Sequence, residues 1–160
     1  MAQTKAVPEG FHTLTPHVTV KNAEKALDFY QKALGAQVLN VSRVPDGRVM
    51  HATLKIGDSM LMLNDEFPEF GSQTPSESSN VTLHVYVEKD IDNVFKQALA
   101  AGATQKMPLM DQFWGDRYGQ IVDPFGIRWS LGQHVKDVSS GEMENAMKEA
   151  FGKMQQKKTA

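Results

Sequence analysis

Two histidines at equivalent places in an internal repeat are the residues of this chain best suited to chemistry. Shifting the sequence by 67 positions places His17 on His84, and seven of the 22 aligned positions are then identical. Histidine changes its charge near neutral pH, so such a pair can bind an anion, transfer a proton or ligate a metal. The alternative interpretation is a pair of hydrogen-bonded histidines that an old duplication retained.

The repeat also defines the elements that must position these histidines. Each histidine stands in an alternating, β-branched run that predicts a strand. An amphipathic helix follows in each half, with Asn22 and Asp90 as expected N-caps and Gly35 as a left-handed C-terminal residue. Three further strand-like runs with turn signals complete each half. The sequence therefore predicts an α+β fold of two βαβββ modules, with paired mixed sheets around a cleft.

The chain divides into five predicted segments. The tail carries a capping box, Ser139 to Glu142, ahead of apolar residues at helical spacing, which predicts an amphipathic helix over about 141–154. The Ser, Pro, Gly and Glu content of the stretch between the modules is typical of a linker. We expect an extension at 1–12, modules at 13–64 and 81–134, a linker at 65–80, and a C-terminal helix and tail at 135–160.

Composition excludes several classes of protein. The 160 residues carry a formal net charge of −2 without a basic stripe, so nucleic acid is not an expected partner. The absence of cysteine excludes disulfides and thiolate chemistry. No apolar run is long enough to span a bilayer and no secretory signal is visible, so we expect a cytoplasmic protein without a membrane partner. Phosphate-loop, serine-hydrolase and zincin motifs are absent.

Several motifs resemble the vicinal oxygen chelate superfamily of glyoxalases, dioxygenases and bleomycin-resistance proteins, and its PhnB-like subgroup. Phe29-Tyr30 in the first helix and the turn Asp123-Pro-Phe-Gly before the last strand match recurrent family motifs. The strings at 56–68, 113–117 and 128–130 resemble the PhnB-like subgroup. Together with the repeat, the resemblance covers about residues 11–138 and implies paired modules that bind a small molecule between them.

The resemblance also locates four metal-ligand positions, which family metalloenzymes usually fill with His, Gln or Glu. Carried over one position at a time, they fall on Thr15, Met62, Thr82 and Ser130. None of these side chains suits Zn, Ni, Mn or Fe. The resemblance therefore predicts no cofactor and a lost metal site, with His17, His84 and His51 as a fallback set of ligands for a divalent metal.

Three hypotheses about function follow. The first is a metal-free protein that binds a small, partly aromatic or polar ligand in the inter-module cleft, of which bleomycin-type drug sequestration is one version. The second is a metal-dependent lyase, isomerase or dioxygenase that uses His17 and His84. The third is a structural dimer without a small ligand. A homodimer is expected in each case. The candidate ligand-binding residues are Thr15, His17, Met62, Thr82, His84, Tyr86, Trp114, Arg117, Trp129 and Ser130.

Overall fold

Two four-stranded mixed sheets form the body of the protein in the computed structural model, which describes residues 5–74 and 80–158. The first module comprises β1 (His17–Val20), α1 (Ala23–Leu34), β2 (Gln37–Arg43), β3 (Val49–Ile56) and β4 (Ser59–Asp65). The second comprises β5 (Thr82–Tyr86), α2 (Ile91–Ala100), β6 (Thr104–Asp111), β7 (Asp116–Val122) and β8 (Arg128–His134), and α3 (Ser140–Lys158) follows. This arrangement confirms the predicted α+β class with two βαβββ modules and a C-terminal helix.

The two sheets repeat one strand order and one register. The orders are β1-β4-β3-β2 and β5-β8-β7-β6, and the outer strands β1 and β5 each run parallel to their neighbour. His17 lies beside Met62 in the first sheet, and His84 lies beside Ser130 in the second. The repeat in the sequence is therefore a repeat in space, and both histidines occupy the same place in their sheets.

Local capping explains where the helices begin. Asn22 and Asp90 have left-handed backbones, and each side chain accepts a hydrogen bond from the amide three residues ahead, as predicted. Gly35 ends α1 with φ 64°, a conformation that glycine adopts without steric cost. At α3 the predicted capping box forms, because the Ser139 amide and hydroxyl donate to the Glu142 carboxylate at 2.9 and 2.7 Å.

The modules contact each other through α1 and α2 and through one buried carboxylate. Asp123, 4% exposed, accepts hydrogen bonds from the Tyr30 hydroxyl at 2.7 Å and the Trp129 indole at 2.9 Å. The amides of Phe125 and Ile127 donate to its other oxygen, both at 2.9 Å. Tyr30 belongs to the first module and the other residues to the second, so this network fastens the two modules together.

Two differences from the sequence expectation have local causes. The first strand begins at His17 and not at Thr13, because Pro16 lacks an amide hydrogen and the Thr15 hydroxyl turns back to the His12 carbonyl at 2.9 Å. The expected linker begins with structure, since Phe67 is buried and a short 3-10 helix spans Pro68–Phe70. The remainder of that segment, 75–79, lies outside the described residues.

The C-terminal helix leaves apolar side chains in solvent. Met147 is 43% exposed and Phe151 is 62% exposed, although both lie on the predicted apolar stripe. Among the residues described, no helix is both long and apolar enough to cross a membrane.

Candidate ligand-binding face

Each sheet has one face against its helix and one face turned away from it, which we call the open face. Along β5, Leu83 and Val85 pack into the core, so His84 and Tyr86 stand on the open face. On β7, Gly119 approaches the ring of Phe95 on the helix side, so the flanking side chains stand on the open face. The open face of the second sheet therefore carries His84, Tyr86 and Tyr118.

Five rings follow one another from the loop between β6 and β7 onto this face, and we call them the aromatic strip. Its members are Phe113, Trp114, Tyr118, His84 and Tyr86. Successive ring centroids lie 5.1, 5.5, 5.9 and 4.5 Å apart, distances typical of interacting aromatic pairs. Tyr86 is 65% exposed, so the strip ends in a large ring that the chain itself does not cover. Such a surface offers planar contact area to a partner molecule.

Polar groups fix the orientation of the rings. The His84 Nδ1 lies 2.7 Å from the hydroxyl of Ser130, which is buried, and Gln120 donates to the Tyr118 hydroxyl at 2.9 Å. Gly132 lies beneath the imidazole, and a Cβ there would stand 2.9 Å from His84 Cε1. Burial lowers the pKa of His84, and the negative charge of Asp116 partly opposes that effect. His84 is therefore an oriented imidazole whose neutral form is favoured near neutral pH.

A hydrogen-bonded clamp closes one end of the strip. The buried Asp116 carboxylate contacts His134 Nδ1 at 2.9 Å and accepts a longer hydrogen bond from the Tyr86 hydroxyl at 3.4 Å. The second imidazole nitrogen, Nε2, lies 3.0 Å from Asp137. The carboxylates of Asp137 and Asp116 raise the pKa of His134, because both nitrogens donate when the ring is protonated. The clamp is therefore strongest as two carboxylates sharing one imidazolium.

We expect His134→Ala to cost stability mainly at acidic and neutral pH. Because folding raises the pKa of His134, its contribution is fully present below the unfolded-chain pKa of about 6.5. It is then lost as the pH rises through the higher native pKa. Urea unfolding of both proteins at several pH values measures this difference, and a difference that grows toward alkaline pH would contradict it. Asp137→Asn is the control, since it should lower the His134 pKa that NMR records.

The open face of the first sheet holds the other two histidines of the fallback set. The rings of His17 and His51 meet edge to face with centroids 5.7 Å apart, and His51 Nε2 lies 3.2 Å from the Thr53 hydroxyl. His84 belongs to the other module. Within residues 5–74 and 80–158, no group of three or more His, Asp or Glu side chains is arranged to hold a metal ion. The residues present do not fit the metal that the resemblance associates with this fold.

Two sequence candidates lie on the helix side of the second sheet and not on the open face. Trp129 is 2% exposed and donates to Asp123, so it is a core residue. The Arg117 guanidinium contacts Asp92 on α2 at 2.7 and 2.9 Å and Asp111 at 3.0 Å. Neither side chain therefore lies on the open face.

The remaining candidates divide between the two open faces. His17 and Met62 lie side by side in the first sheet, and Thr15 lies just ahead of β1 with its hydroxyl bonded locally. In the second sheet Thr82 pairs with Arg128, and this pair lies two residues along the strands from the pair of His84 and Ser130. Tyr86 and Trp114 belong to the aromatic strip.

The sequence candidates omitted the clamp residues. Asp116 precedes Tyr118 by two positions on β7, so strand alternation alone places its carboxylate on the same face. β8 continues to His134 and pairs it with Asp116. The available signal was the alternation, and the partner follows from the register of β7 against β8.

Comparison with known proteins places this chain in a family. The family model described as "Glyoxalase/Bleomycin resistance protein/Dioxygenase superfamily" matches residues 10–131. An uncharacterised protein of Mycobacterium bovis is 46% identical over 139 residues, which cover 84% of this chain and 91% of the relative.

Two solved structures share the fold at lower identity. TioX from Micromonospora sp. ML1 has a TM-score of 0.62 at 22% identity and covers 78% of this chain and 99% of its own. A Bacillus cereus PhnB protein, described as a putative 3-demethylubiquinone-9 3-methyltransferase, has a TM-score of 0.63 at 24% identity and covers 76% and 99%. The family model covers most of the chain, and the solved structures share its fold. The chain belongs to the glyoxalase/bleomycin resistance protein/dioxygenase superfamily.

Proposed function

We propose that this protein binds a small, partly aromatic molecule on the open face of its second module, without the family metal. The observation that carries the proposal is the aromatic strip, in which five successive rings run from the loop before β7 to the largely exposed Tyr86. Rings of this kind contribute contact area at low cost in side-chain entropy, and the polar groups beside them orient a ligand. Sequestration of a drug-like molecule is one form of this function.

The proposal includes a homodimer that completes the site. Within one chain the modules contact each other through α1, α2 and the Asp123 network, so the open faces are not used in that contact. A cleft needs a second wall opposite the strip. The open face of the first module in a second copy, which carries His17 and His51, is the wall that we propose.

A ligand screen with a matched pair of variants tests the binding function. We expect several small aromatic molecules to raise the melting temperature of the wild type by a few degrees in thermal-shift assays, as ligand linkage requires. Trp114→Ala should abolish these shifts because it removes a central ring of the strip. Phe70→Ala is the control, since Phe70 is 79% exposed on the 3-10 helix outside the strip. Shifts that survive Trp114→Ala, or their absence from the wild type, would refute the proposal.

The second candidate function is metal-dependent lyase, isomerase or dioxygenase chemistry at His17, His84 and His51. The edge-to-face contact of His17 and His51, with ring centroids 5.7 Å apart, is the observation that favours it, because imidazole nitrogens are common ligands of such metals. Elemental analysis of protein purified without chelator decides between the two functions. If the wild type contains near-stoichiometric metal and the His17→Ala, His84→Ala double variant contains none, the metal-dependent function is favoured over metal-free binding. Failure of both tests would leave a structural dimer without a ligand.

A further inference from the structure

We propose that the ligand of the aromatic strip is a planar organic cation, such as an N-alkylated aromatic heterocycle. This inference rests on the proposed binding function and adds the charge of the ligand to it. Three features of the face carry the inference: the way the rings are turned, a buried carboxylate that touches the strip, and the engagement of the nearest arginine elsewhere.

The rings of the strip meet in two near-perpendicular pairs. Trp114 and Tyr118 meet at 75°, and His84 and Tyr86 meet at 82°, while Tyr118 and His84 lie nearly parallel between them at 18°. The face of an aromatic ring carries partial negative charge and attracts a cation, and tryptophan attracts it most. A planar cation can therefore stack on one ring while the edge of the next ring bounds it.

A negative charge lies beside the hydroxyl at one end of the strip. The side chain of Asp116 is only 8% exposed and accepts the Tyr86 hydroxyl at 3.4 Å. Its charge also reaches the ring beyond, because it acts to raise the pKa of His84 against the effect of burial. His134 neutralises it only in part, since the same imidazolium also serves the Asp137 carboxylate. The clamp with its histidine protonated therefore carries one net negative charge, which a cation on the strip would balance.

Arg117, the cationic residue next to Asp116 in the chain, does not neutralise that charge. Arg117 follows Asp116 in the chain but points to the helix side, where Asp92 and Asp111 hold its guanidinium. The hydrogen bonds from Arg117 to Asp92 and Asp111 involve no ring of the aromatic strip. An anionic ligand would therefore meet Asp116 without help from Arg117, whereas a cationic ligand would meet it with an attractive field.

Two probes of similar shape and different charge test the inference. Calorimetric titration at pH 7.5 would compare N-methylquinolinium, a permanent cation, with quinoline, which is neutral at this pH. We expect the wild type to bind the cation roughly tenfold more tightly, the size of effect that cation–π contact and a nearby carboxylate give together. Asp116→Asn should remove most of that preference while leaving quinoline affinity within about twofold. Raising the salt concentration should weaken only the cation.

Two further measurements keep the outcome decisive. Circular dichroism and the unchanged affinity for quinoline show whether Asp116→Asn is folded, and Tyr118→Leu provides a second variant that removes a ring without altering charge. Loss of the cation preference in Tyr118→Leu supports the inference if Asp116→Asn does not fold. Equal binding of both probes by the wild type overturns the cation inference and leaves the binding function standing. Binding of neither probe also overturns it, and the thermal-shift screen then judges the binding function separately.

Discussion

Replacing Asp123 with alanine is expected to lower the free energy of unfolding by about 3–5 kcal/mol, the largest effect of any single substitution considered for this chain. The carboxylate accepts from the Tyr30 hydroxyl, the Trp129 indole and two backbone amides. Truncation leaves the first two donors buried without an acceptor, and each such group costs about 1–3 kcal/mol. Because Tyr30 comes from the other module, the contact between the modules weakens as well.

The electrostatics of Asp123 sharpen this expectation. Burial raises its pKa, and the donated hydrogen bonds oppose the rise by stabilising the carboxylate. Asp123→Asn keeps one acceptor oxygen in the same place but cannot accept all four hydrogen bonds. Its free energy of unfolding should therefore lie between those of the wild type and the alanine variant. Tyr30→Phe deletes a single donor and should cost about 1 kcal/mol.

Urea unfolding followed by circular dichroism measures these differences. Asp58→Ala is the control, because Asp58 is exposed in the turn between β3 and β4 and, among the residues described, its carboxylate bonds only the neighbouring Ser59 hydroxyl. It should change the free energy of unfolding by less than about 0.5 kcal/mol. A loss below about 1 kcal/mol in Asp123→Ala would show that the network does not hold the modules together.

The fold was predictable because its signals are local and occur twice. The caps at Asn22 and Asp90, the glycine after α1 and the capping box at Ser139 each depend on a few consecutive residues. Because of the duplication, each element is predicted twice, once in each half of the chain. Contacts between distant segments carry no such local signal, which is why the Asp123 network was not foreseen although Tyr30 and Asp123 both stand in recognised motifs.

The candidate site was predicted less well than the fold. Trp129 and Ser130 are consecutive residues of a strand, so only one of them can face a ligand, and alternation favours Ser130 once His84 is taken as its neighbour. The same reasoning separates Arg117 from Tyr118. The pairing of Asp116 with His134 depends on the register of β7 against β8. That register follows from counting outward from the turn at Asp123, a step that residue types alone do not supply.

Replacing Gly115 with alanine is expected to lower the free energy of unfolding by about 2–4 kcal/mol and to disturb the aromatic strip. Gly115 has φ +98°, and a Cβ there would stand 2.0 Å from the Lys136 carbonyl oxygen. That neighbour is backbone and is held in place, since the amides of Val135 and Lys136 both donate to the Gly115 carbonyl at 2.9 and 3.0 Å. The added methyl must therefore push the segment after β8 away from the loop that carries Trp114.

Gly47→Ala separates the clash from the backbone strain. Gly47 has a similar φ of +92°, but a Cβ there would meet nothing within 4 Å. Both variants carry the cost of an alanine in a left-handed conformation, about 1–2 kcal/mol, and only Gly115→Ala adds the steric conflict. Urea unfolding should thus show a larger loss in Gly115→Ala, and thermal-shift responses to aromatic ligands should weaken in that variant alone. Equal losses of stability would mean that the segment at Lys136 moves aside without cost, so that the steric conflict at Gly115 contributes nothing.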